Sequence, residues 1–257
     1  MLERLEEAFG QLQRFTADAS HELRTPLTAI RSVGEVGLRE PRNAHAYREI
    51  IGSMLEEADR LTGLVDGLLY LSRADSGRTL VRRADIDVRA LVDDVVAHLS
   101  VLADERDQRV LVAGEPSLTV YADAVLLRPA LINIVDNAIK YSAHGSDIGI
   151  TLGAGAWDAA IEVRDQGPGI APEHQARVFE RFYRVDPARS RNEGGTGLGL
   201  AIARWAVEAS GGSLELDSDV GVGSVFKIRL PLGEARRSET AARPAPVSLQ
   251  ANWPGLP

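Results

Sequence analysis

One helical stretch carries four side chains that can bind a nucleotide. Within LINIVDNAIKYS (131–142), two amides, a cation and an aromatic ring recur at i, i+4, i+7 and i+8: Asn133, Asn137, Lys140 and Tyr141. At this spacing they share one face of a helix. An amide oxygen can ligate Mg²⁺, a lysine can bind phosphate and a tyrosine ring can stack on a base. The pattern fits a solvent-exposed polar face with a capping asparagine equally well.

A short glycine loop follows a predicted strand. In VRDQGPGIAPE (163–173) the strand ends at Asp165, and Gly167 and Gly169 flank a proline. Glycine permits close backbone approach, and an aspartate entering such a loop can accept a hydrogen bond from an exocyclic amine. Asp-x-Gly is also common in ordinary turns, and this stretch alone favours an ordinary turn.

A second glycine-rich loop leads directly into an apolar helix in GGTGLGLAIARWAVEASGG (194–212). Backbone amides at a helix N-terminus attract anions, so the loop is a candidate phosphate site. It lacks the Gly-Lys-Ser/Thr of a P-loop and the preceding strand of a dinucleotide fold. The polar residues 186–193 before it can form a mobile lid. Three aromatic side chains either pack beneath that lid or belong to the core: Phe179, Phe182 and Tyr183.

The amino-terminal part predicts an antiparallel helical hairpin. Residues 1 to about 39 follow helical spacing, and REPRN (39–43) is a turn signal. The apolar residues of the next helix then alternate in steps of four and three, which is a seven-residue repeat: Tyr47, Ile51, Met54, Ala58, Leu61, Val65 and Leu68. Two helices cannot bury both stripes alone, so we predict a dimer that forms a four-helix bundle.

The first helix contains an unexpected proline. ASHELRTPL (19–27) places His21 beside Glu22, and Pro26 follows five residues after the histidine. A proline inside a helix removes a backbone hydrogen bond and costs about 3 kcal/mol. Either other interactions offset this cost, or the protein needs a bend in the helix at this point.

The rest of the chain predicts an α/β sandwich, a sheet covered by helices on one face, so the fold class of the whole is α+β. Asp123 is a good N-cap for the helix that contains Pro129. The predicted helices cover residues 87–105, 123–142 and 196–210. The predicted strands cover residues 79–86, 108–114, 118–122, 147–154, 159–165, 212–218 and 224–232.

The predicted domain boundaries follow changes in composition. Residues 1–15 are predicted as the end of a coiled coil, 16–75 as the hairpin domain, 76–79 as a linker and 80–233 as the sandwich domain. The final segment, 234–257, holds four of the twelve prolines and is predicted to be disordered.

Composition excludes several function classes. The chain has 257 residues, a net charge of −8 and no cysteine, which excludes a disulfide framework or thiolate metal site and fits a reducing compartment. An acidic chain gives nucleic-acid binding no electrostatic support. No apolar run reaches about 18 residues, so no segment is predicted to span a membrane. The charged, heptad-like start is not a signal peptide, and we predict the cytoplasmic part of a longer protein.

Five stretches, in this order, resemble the H, N, G1, F and G2 boxes of bacterial sensor histidine kinases: SHELRTPL, LINIVDNAIKYS, DQGPGI, FERFYR and GGTGLGLAI. The resemblance covers residues 1–232. It is to the class whose His-Glu-x-x-Thr H box is joined to an ATP-binding domain shared with gyrase, Hsp90 and MutL proteins. It implies ATP-dependent autophosphorylation of a histidine and phosphoryl transfer to an aspartate of a response regulator, with regulator phosphatase activity. It also implies that 16–75 form the dimerisation and histidine phosphotransfer domain, after a signalling coiled coil.

In the H box, the resemblance implies that His21 is the phosphoacceptor and that Glu22 is the base beside it. A neutral imidazole nitrogen can attack a γ-phosphate. Thr25, one turn along the helix, would orient the water that dephosphorylates the regulator, and Arg24 would steady phosphate charge. Pro26 would weaken the helix just beyond the histidine, so that a signal can reshape it.

In the nucleotide site, the resemblance implies bound ATP and Mg²⁺. Asn137 is the expected Mg²⁺ ligand, with Asn133 and Lys140 beside the phosphates. Arg184 in the F box would contact the γ-phosphate. The G2 loop would close over the phosphates with Gly195, Thr196, Gly197, Leu198 and Gly199. Phosphoryl transfer depends on positioning and charge neutralisation, which such a set supplies.

The adenine base would lie at the other end of this site. Tyr141 would stack on the ring. Asp165 would accept a hydrogen bond from the amino group, and Gly167 and Gly169 would leave it room. The remaining histidines have no such context and are predicted to be surface residues: His45, His98, His144 and His174.

The implied partners are a second copy of the chain and a response regulator receiver domain, with no nucleic acid and no membrane contact by this segment. An upstream inner-membrane sensor would place the segment in the cytoplasm. Three alternatives stay open: an ATPase of the same nucleotide fold that phosphorylates no histidine, a non-catalytic dimeric scaffold, and a phosphatase-dominant protein.

Overall fold

The computed structural model describes residues 2–39, 43–75, 80–186 and 195–233. Three predicted features lie outside the described residues: the linker at 76–79, the predicted lid at 186–193 except for its first residue, and the tail at 234–257.

The described residues form two compact units. Residues 2–75 group with 180–186 and 195–199, whereas residues 80–179 group with 200–233. The functional domain boundaries given above, which keep residues 80–233 together, stay predictions.

The first unit is built on two long helices, α1 (Leu2–Arg39) and α2 (Ala44–Asp75). They pack against each other through small residues of α1. A Cβ at Gly37 would lie 3.2 Å from Ile50, and one at Gly34 would lie 3.5 Å from Met54. Because later residues of α1 lie against earlier residues of α2, the helices are antiparallel, and the predicted hairpin is confirmed.

The second unit is an α/β sandwich. Its elements, in chain order, are β1 (Ala84–Asp87), α3 (Val88–Asp104), β2 (Arg109–Gly114), β3 (Thr119–Ala122), α4 (Ala124–Tyr141), β4 (Asp147–Ala154), β5 (Asp158–Arg164), α5 (Pro172–Gln175), a 3₁₀ turn (Arg177–Phe179), α6 (Gly199–Ala209), β6 (Ser213–Asp219) and β7 (Gly223–Pro231). The main sheet has the strand order β2-β4-β5-β7-β6. Strands β2 and β4 run parallel, and the other neighbours run antiparallel. Strands β1 and β3 form a separate antiparallel pair.

The two faces of the main sheet differ in chemistry. On one face, Ile161 of β5 lies beside Ile228 of β7, which lies beside Leu214 of β6, and all three are buried. On the other face, Glu162 lies opposite Lys227 and forms an ion pair with it. Helices α3 and α4 pack together and contact β2 and β5. Since strand residues alternate between faces, one face is apolar and the other carries charged side chains, and the predicted α/β sandwich is confirmed.

Helix α4, which carries the candidate phosphate-binding face, begins where predicted. The buried Asp123 accepts a hydrogen bond from the backbone N of Val125 at 2.9 Å, which confirms it as the N-cap. Its other oxygen accepts from the backbone N of Arg82 at 2.7 Å. Pro129 lies inside the continuous helix, and the N–H it lacks would have served only the Val125 carbonyl.

Candidate functional site

His21 lies on an exposed part of α1. His21 and Thr25 are both exposed. The Thr25 hydroxyl donates a hydrogen bond to the His21 carbonyl oxygen at 3.2 Å, so the two residues lie on one side of the helix, one turn apart. Within the described residues, the His21 imidazole has no hydrogen-bond or ion-pair partner. Its ring nitrogens are therefore accessible to an incoming group.

The backbone of α1 is weakened next to this histidine. Pro26 is buried within the continuous helix and cannot donate to the carbonyl of Glu22, four residues earlier. The Thr28 hydroxyl donates to the Arg24 carbonyl at 2.8 Å, a type of contact that tends to bend helices. The helix therefore lacks one backbone hydrogen bond in the turn that follows the histidine.

An ion pair fixes Glu22. The Nη2 atom of Arg184 lies 3.1 Å from Oε2 of Glu22, and the arginine side chain is only 8% exposed. The same Nη2 donates to the carbonyl oxygen of Gly195. The Nε atom of Arg184 is buried and has no hydrogen-bond partner in the described part of the chain. A buried guanidinium with an unused donor fits an additional anionic partner such as a phosphate oxygen.

The predicted aromatic cluster is divided between the two units. In the first, the rings of Phe15 and Phe182 lie 5.9 Å apart, and the guanidinium of Arg181 lies 5.3 Å above Phe15. In the second, Phe179 packs edge-on against Phe226 at 6.4 Å. Phe179 therefore packs against the sheet of the second unit, whereas packing of these aromatics beneath the lid stays a prediction.

The glycine-rich segment is positioned by backbone contacts. Gly197 has a φ of +70°, and a Cβ there would lie 2.7 Å from the backbone of Phe182, so glycine is required. The backbone N of Phe182 donates to the Gly197 carbonyl at 2.8 Å. Leu198 is buried, and its backbone N lies 3.4 Å from the Thr196 hydroxyl. The segment ends at Gly199, the first residue of α6, so the predicted loop-to-helix junction is confirmed.

The candidate phosphate-binding face of α4 is partly accessible. It presents four half-buried side chains: Asn133, Asn137, Lys140 and Tyr141. The Nζ atom of Lys140 lies 2.6 Å from Oδ2 of Asp136. Among the described residues, neither asparagine amide makes a hydrogen bond. Amide oxygens fit Mg²⁺, which is commonly shared among a protein oxygen, phosphate oxygens and water.

Two side chains cap the carboxyl end of α4. Arg106 donates from Nη1 to the Lys140 carbonyl at 2.8 Å. Gln108, which is buried, donates from Nε2 to the Ser142 carbonyl at 3.3 Å. A cation is favourable at this end of a helix. These contacts hold the turn that carries Lys140 and Tyr141.

Asp165 is buried and oriented by backbone amides. The residue is 7% exposed. Its Oδ1 atom accepts hydrogen bonds from the backbone N of Gly167 at 2.8 Å and of Ser224 at 3.1 Å. Burial raises the pKa of the Asp165 carboxyl above its ordinary value, and these hydrogen bonds oppose that shift. The Oδ2 atom accepts no hydrogen bond from the described residues, so it is the oxygen left for a ligand.

The loop after Asp165 adjoins the end of α4. A Cβ at Gly167 would lie 3.0 Å from the carbonyl oxygen of Tyr141. The backbone N of Gln166 lies 3.3 Å from the Ser142 hydroxyl. The structure therefore brings the base-stacking candidate Tyr141 and the Asp165 loop together.

The same loop also lies against the turn between β6 and β7. Gly169 has a φ of +69°, and a Cβ there would overlap the carbonyl oxygen of Asp219. The backbone N of Gly221 donates to the Pro168 carbonyl at 2.8 Å. Close packing of backbone on backbone explains why glycine stands at position 169.

The predicted site residues thus fall into two sets. The H-box residues, Arg184 and the segment 195–199 belong to the first unit, and the α4 face and the Asp165 loop belong to the second. Sequence reasoning missed the residues that hold these elements in place. Two sequence features could have indicated them: the Gly-x-Gly-Ser at 221–224, which contains the residue that orients Asp165, and the polar pair Arg106 and Gln108, which caps α4.

Two protein-family models match the chain in the order in which the motifs occur. The His Kinase A (phospho-acceptor) domain matches residues 11–77. The histidine kinase-, DNA gyrase B- and HSP90-like ATPase matches residues 122–234. None of the helices in the described ranges is long and apolar enough to cross a membrane.

Similar proteins agree with these matches. Sensor protein IrlS of Burkholderia pseudomallei (strain K96243) is 39% identical over 231 residues, which cover 90% of this chain and 49% of IrlS. The chain spans about half the length of the curated relatives it matches. The mycobacterial sensor histidine kinase MprB is 32% identical with a TM-score of 0.51, and the match covers 59% of this chain and 98% of the MprB chain.

A further solved structure supports the fold alone. Histidine kinase ThkA, in complex with response regulator protein TrrA, has a TM-score of 0.72 at 23% identity, and the match covers 90% of this chain and 65% of that chain. The two matching family models and the similarity to sensor protein IrlS over 90% of this chain lead to one assignment: the chain belongs to the sensor histidine kinases.

Proposed function

We propose that this chain transfers the γ-phosphoryl group of ATP to His21 and then passes it to an aspartate of a response regulator. One observation carries the proposal. An exposed histidine with a fixed glutamate beside it lies within the phospho-acceptor match, and the same chain matches an ATPase model.

The phosphoryl step takes its phosphoryl group from ATP and uses two side chains of the H box. A ring nitrogen of His21 attacks the γ-phosphorus, an N–P bond forms, and the bond to the β,γ-bridging oxygen breaks to release ADP. Glu22 accepts the imidazole proton from the other ring nitrogen. Its ion pair with Arg184 orients Glu22 for this role.

The nucleotide is held by the half-buried face of α4 and the Asp165 loop. Asn137 would ligate Mg²⁺, and Asn133 and Lys140 would lie beside the phosphates. Mg²⁺, when bound, neutralises charge that builds up on the phosphate oxygens. Tyr141 stacks on the adenine ring, and Oδ2 of Asp165 accepts a hydrogen bond from its amino group. The unpartnered amides and the free carboxylate oxygen support these roles.

We further propose that the segment leading into α6 binds phosphate. Gly195, Thr196, Gly197, Leu198 and Gly199 present backbone amides at a helix N-terminus, where an anion is favoured. Arg184 adds its unused Nε donor for the γ-phosphate.

We also propose that the working form is a homodimer that docks a response regulator. The two-helix unit leaves large apolar side chains exposed, and a second copy in a four-helix bundle would cover them: Leu27, Val36, Ile51, Leu55 and Leu69. ThkA, which shares the fold, has been solved with a response regulator. Thr25 then orients the water that dephosphorylates the regulator, and Arg24 steadies phosphate charge. The cytoplasmic location below an upstream membrane sensor stays a prediction.

The proposal is tested by incubating the chain with γ-labelled ATP and Mg²⁺. We compare the wild type with His21→Ala and with His45→Ala, a matched exposed histidine on the other helix. We expect acid-labile, alkali-stable label on the wild type and on His45→Ala, and none on His21→Ala. Label on all three would place the phosphoacceptor elsewhere. ATP hydrolysis without label on any protein would favour the alternative of an ATPase with the same nucleotide fold.

A further inference from the structure

A buried serine on β6 joins the two ends of the Asp165 loop. Ser218 is 8% exposed. Its hydroxyl accepts a hydrogen bond from the backbone N of Ile170 at 2.8 Å and donates one to the Gly223 carbonyl at 2.9 Å. It also lies 3.0 Å from the hydroxyl of Ser224. The Ser218 hydroxyl therefore acts as an acceptor and as a donor at the same time.

Gln175 on α5 completes the same attachment. Its Nε2 atom donates to the Ile170 carbonyl at 2.9 Å and to the Ser218 carbonyl at 2.7 Å. The backbone N and the backbone O of Ile170 are thus both held by side chains. The far end of the loop is fixed to β6 with little freedom to shift.

These contacts lead back to the carboxylate that faces a ligand. Ser224 donates its backbone N to Oδ1 of Asp165 and accepts the backbone N of Asp165 on its carbonyl at 2.9 Å. Ser218 contacts both Ser224 and Ile170. One hydroxyl therefore connects the residue that orients Asp165 with the end of the loop that borders the base site.

We propose that Ser218 and Gln175 are positioning residues for base recognition: they fix the loop 165–170 so that Oδ2 of Asp165 faces the exocyclic amine of the nucleotide. The inference rests on the proposed function and names residues that neither motif nor family model assigns to this role.

A preorganised acceptor discriminates between ligands more sharply than a mobile one, because a mobile carboxylate can avoid an unfavourable partner. Inosine triphosphate differs from ATP by carrying a carbonyl where ATP has the amino group. A fixed Asp165 therefore repels the inosine carbonyl, whereas a loosened Asp165 relaxes away from it. The ratio of the two affinities measures how firmly the loop is held.

The test uses the full chain and isothermal titration with ATP and with inosine triphosphate, in Mg²⁺. The variants are Ser218→Ala and Gln175→Met, and the matched control is Ser213→Ala, an exposed serine on the same strand. We expect the preference for ATP to fall about threefold to tenfold in both variants, as for the loss of one hydrogen bond, and to be unchanged in Ser213→Ala. The thermal midpoint is recorded for each protein.

A purely structural role would lower the thermal midpoint and leave the affinity ratio at its wild-type value, and that result would overturn the inference. Gln175 is only half-buried, so Gln175→Met decides the matter if Ser218→Ala does not fold. Failure of the wild type to bind ATP would instead contradict the proposed function. The titration of the wild type alone reveals that outcome, so it cannot be confused with an effect of the variants.

Discussion

Replacing Asp165 by asparagine separates its role in binding from its role in folding. Asparagine keeps an oxygen that can accept from the backbone N of Gly167 and of Ser224, now at 2.8 and 3.1 Å. The position of Oδ2 then becomes an NH₂ group, which meets the adenine amino group donor to donor. A hydrogen bond to a charged group contributes about 1.5–3 kcal/mol, so the ATP affinity of Asp165→Asn should fall by roughly 10- to 150-fold.

The same change should not destabilise the nucleotide-free protein near neutral pH. Burial raises the pKa of the Asp165 carboxyl above its unfolded value, so the ionised form is disfavoured in the folded state. The stability that this group contributes is therefore greatest below its unfolded pKa and is lost as pH rises through its folded pKa. Asp165→Asn avoids that loss, so its advantage over the wild type should grow with rising pH and then level off.

The assay combines titration with ATP and thermal unfolding without nucleotide from pH 4 to pH 8, the acid side chosen to approach the ordinary aspartate pKa of about 4. Wild-type ATP affinity in the variant would refute the assignment of Asp165 to the base. A variant that becomes less stable than the wild type as pH rises would refute the argument from burial.

Two further changes test the packing around the site. Gly169→Ala should lower the free energy of unfolding by about 2 kcal/mol or more, since position 169 has a positive φ and a Cβ would overlap the Asp219 carbonyl. Denaturant unfolding measures this free energy, and an unchanged value would contradict the loop geometry. Ser210→Ala should stabilise it by about 1 kcal/mol, because the Ser210 hydroxyl is fully buried and has no hydrogen-bond partner among the described residues. A lower unfolding midpoint in that variant would mean that the hydroxyl has a partner.

Elements with strong local signals were predictable from sequence. Helix α4 was predicted over 123–142 and runs from Ala124 to Tyr141 because an N-cap and a one-sided polar face define it locally. The pattern predicts a start of helix α6 at residue 196, but the helix begins at Gly199. Gly197 has a positive φ and is held against the backbone of Phe182, so it cannot belong to the helix. Tertiary contacts moved this boundary, and the glycine pattern alone could not show it.

The strand predicted at 79–86 shows the same limit. The strand begins only at Ala84 and ends at Asp87, since the backbone N of Arg82 is bound by the carboxylate of Asp123 and the Arg83 side chain donates to the Ala209 carbonyl. Both partners lie far away in sequence. No local pattern could have placed them.

The ligand-facing residues were also more predictable than the residues that hold them. Motif spacing identified Asn137 and Asp165 as ligand-facing residues. Ser218 and Gln175 instead bind the backbone of Ile170, and neither belongs to a recognisable motif. Similarly, Glu22 and Arg184 are 162 positions apart, and only the folded unit brings them together.

The most direct test of the central claim is fragmentation mass spectrometry of the wild-type chain after incubation with ATP and Mg²⁺, performed at alkaline pH to preserve phosphohistidine. We expect one phosphoryl group per labelled chain, located on His21, with an equal amount of ADP formed and no modification when Mg²⁺ is withheld. A phosphoryl group on any other residue, or ADP formed with His21 unmodified, would contradict the account.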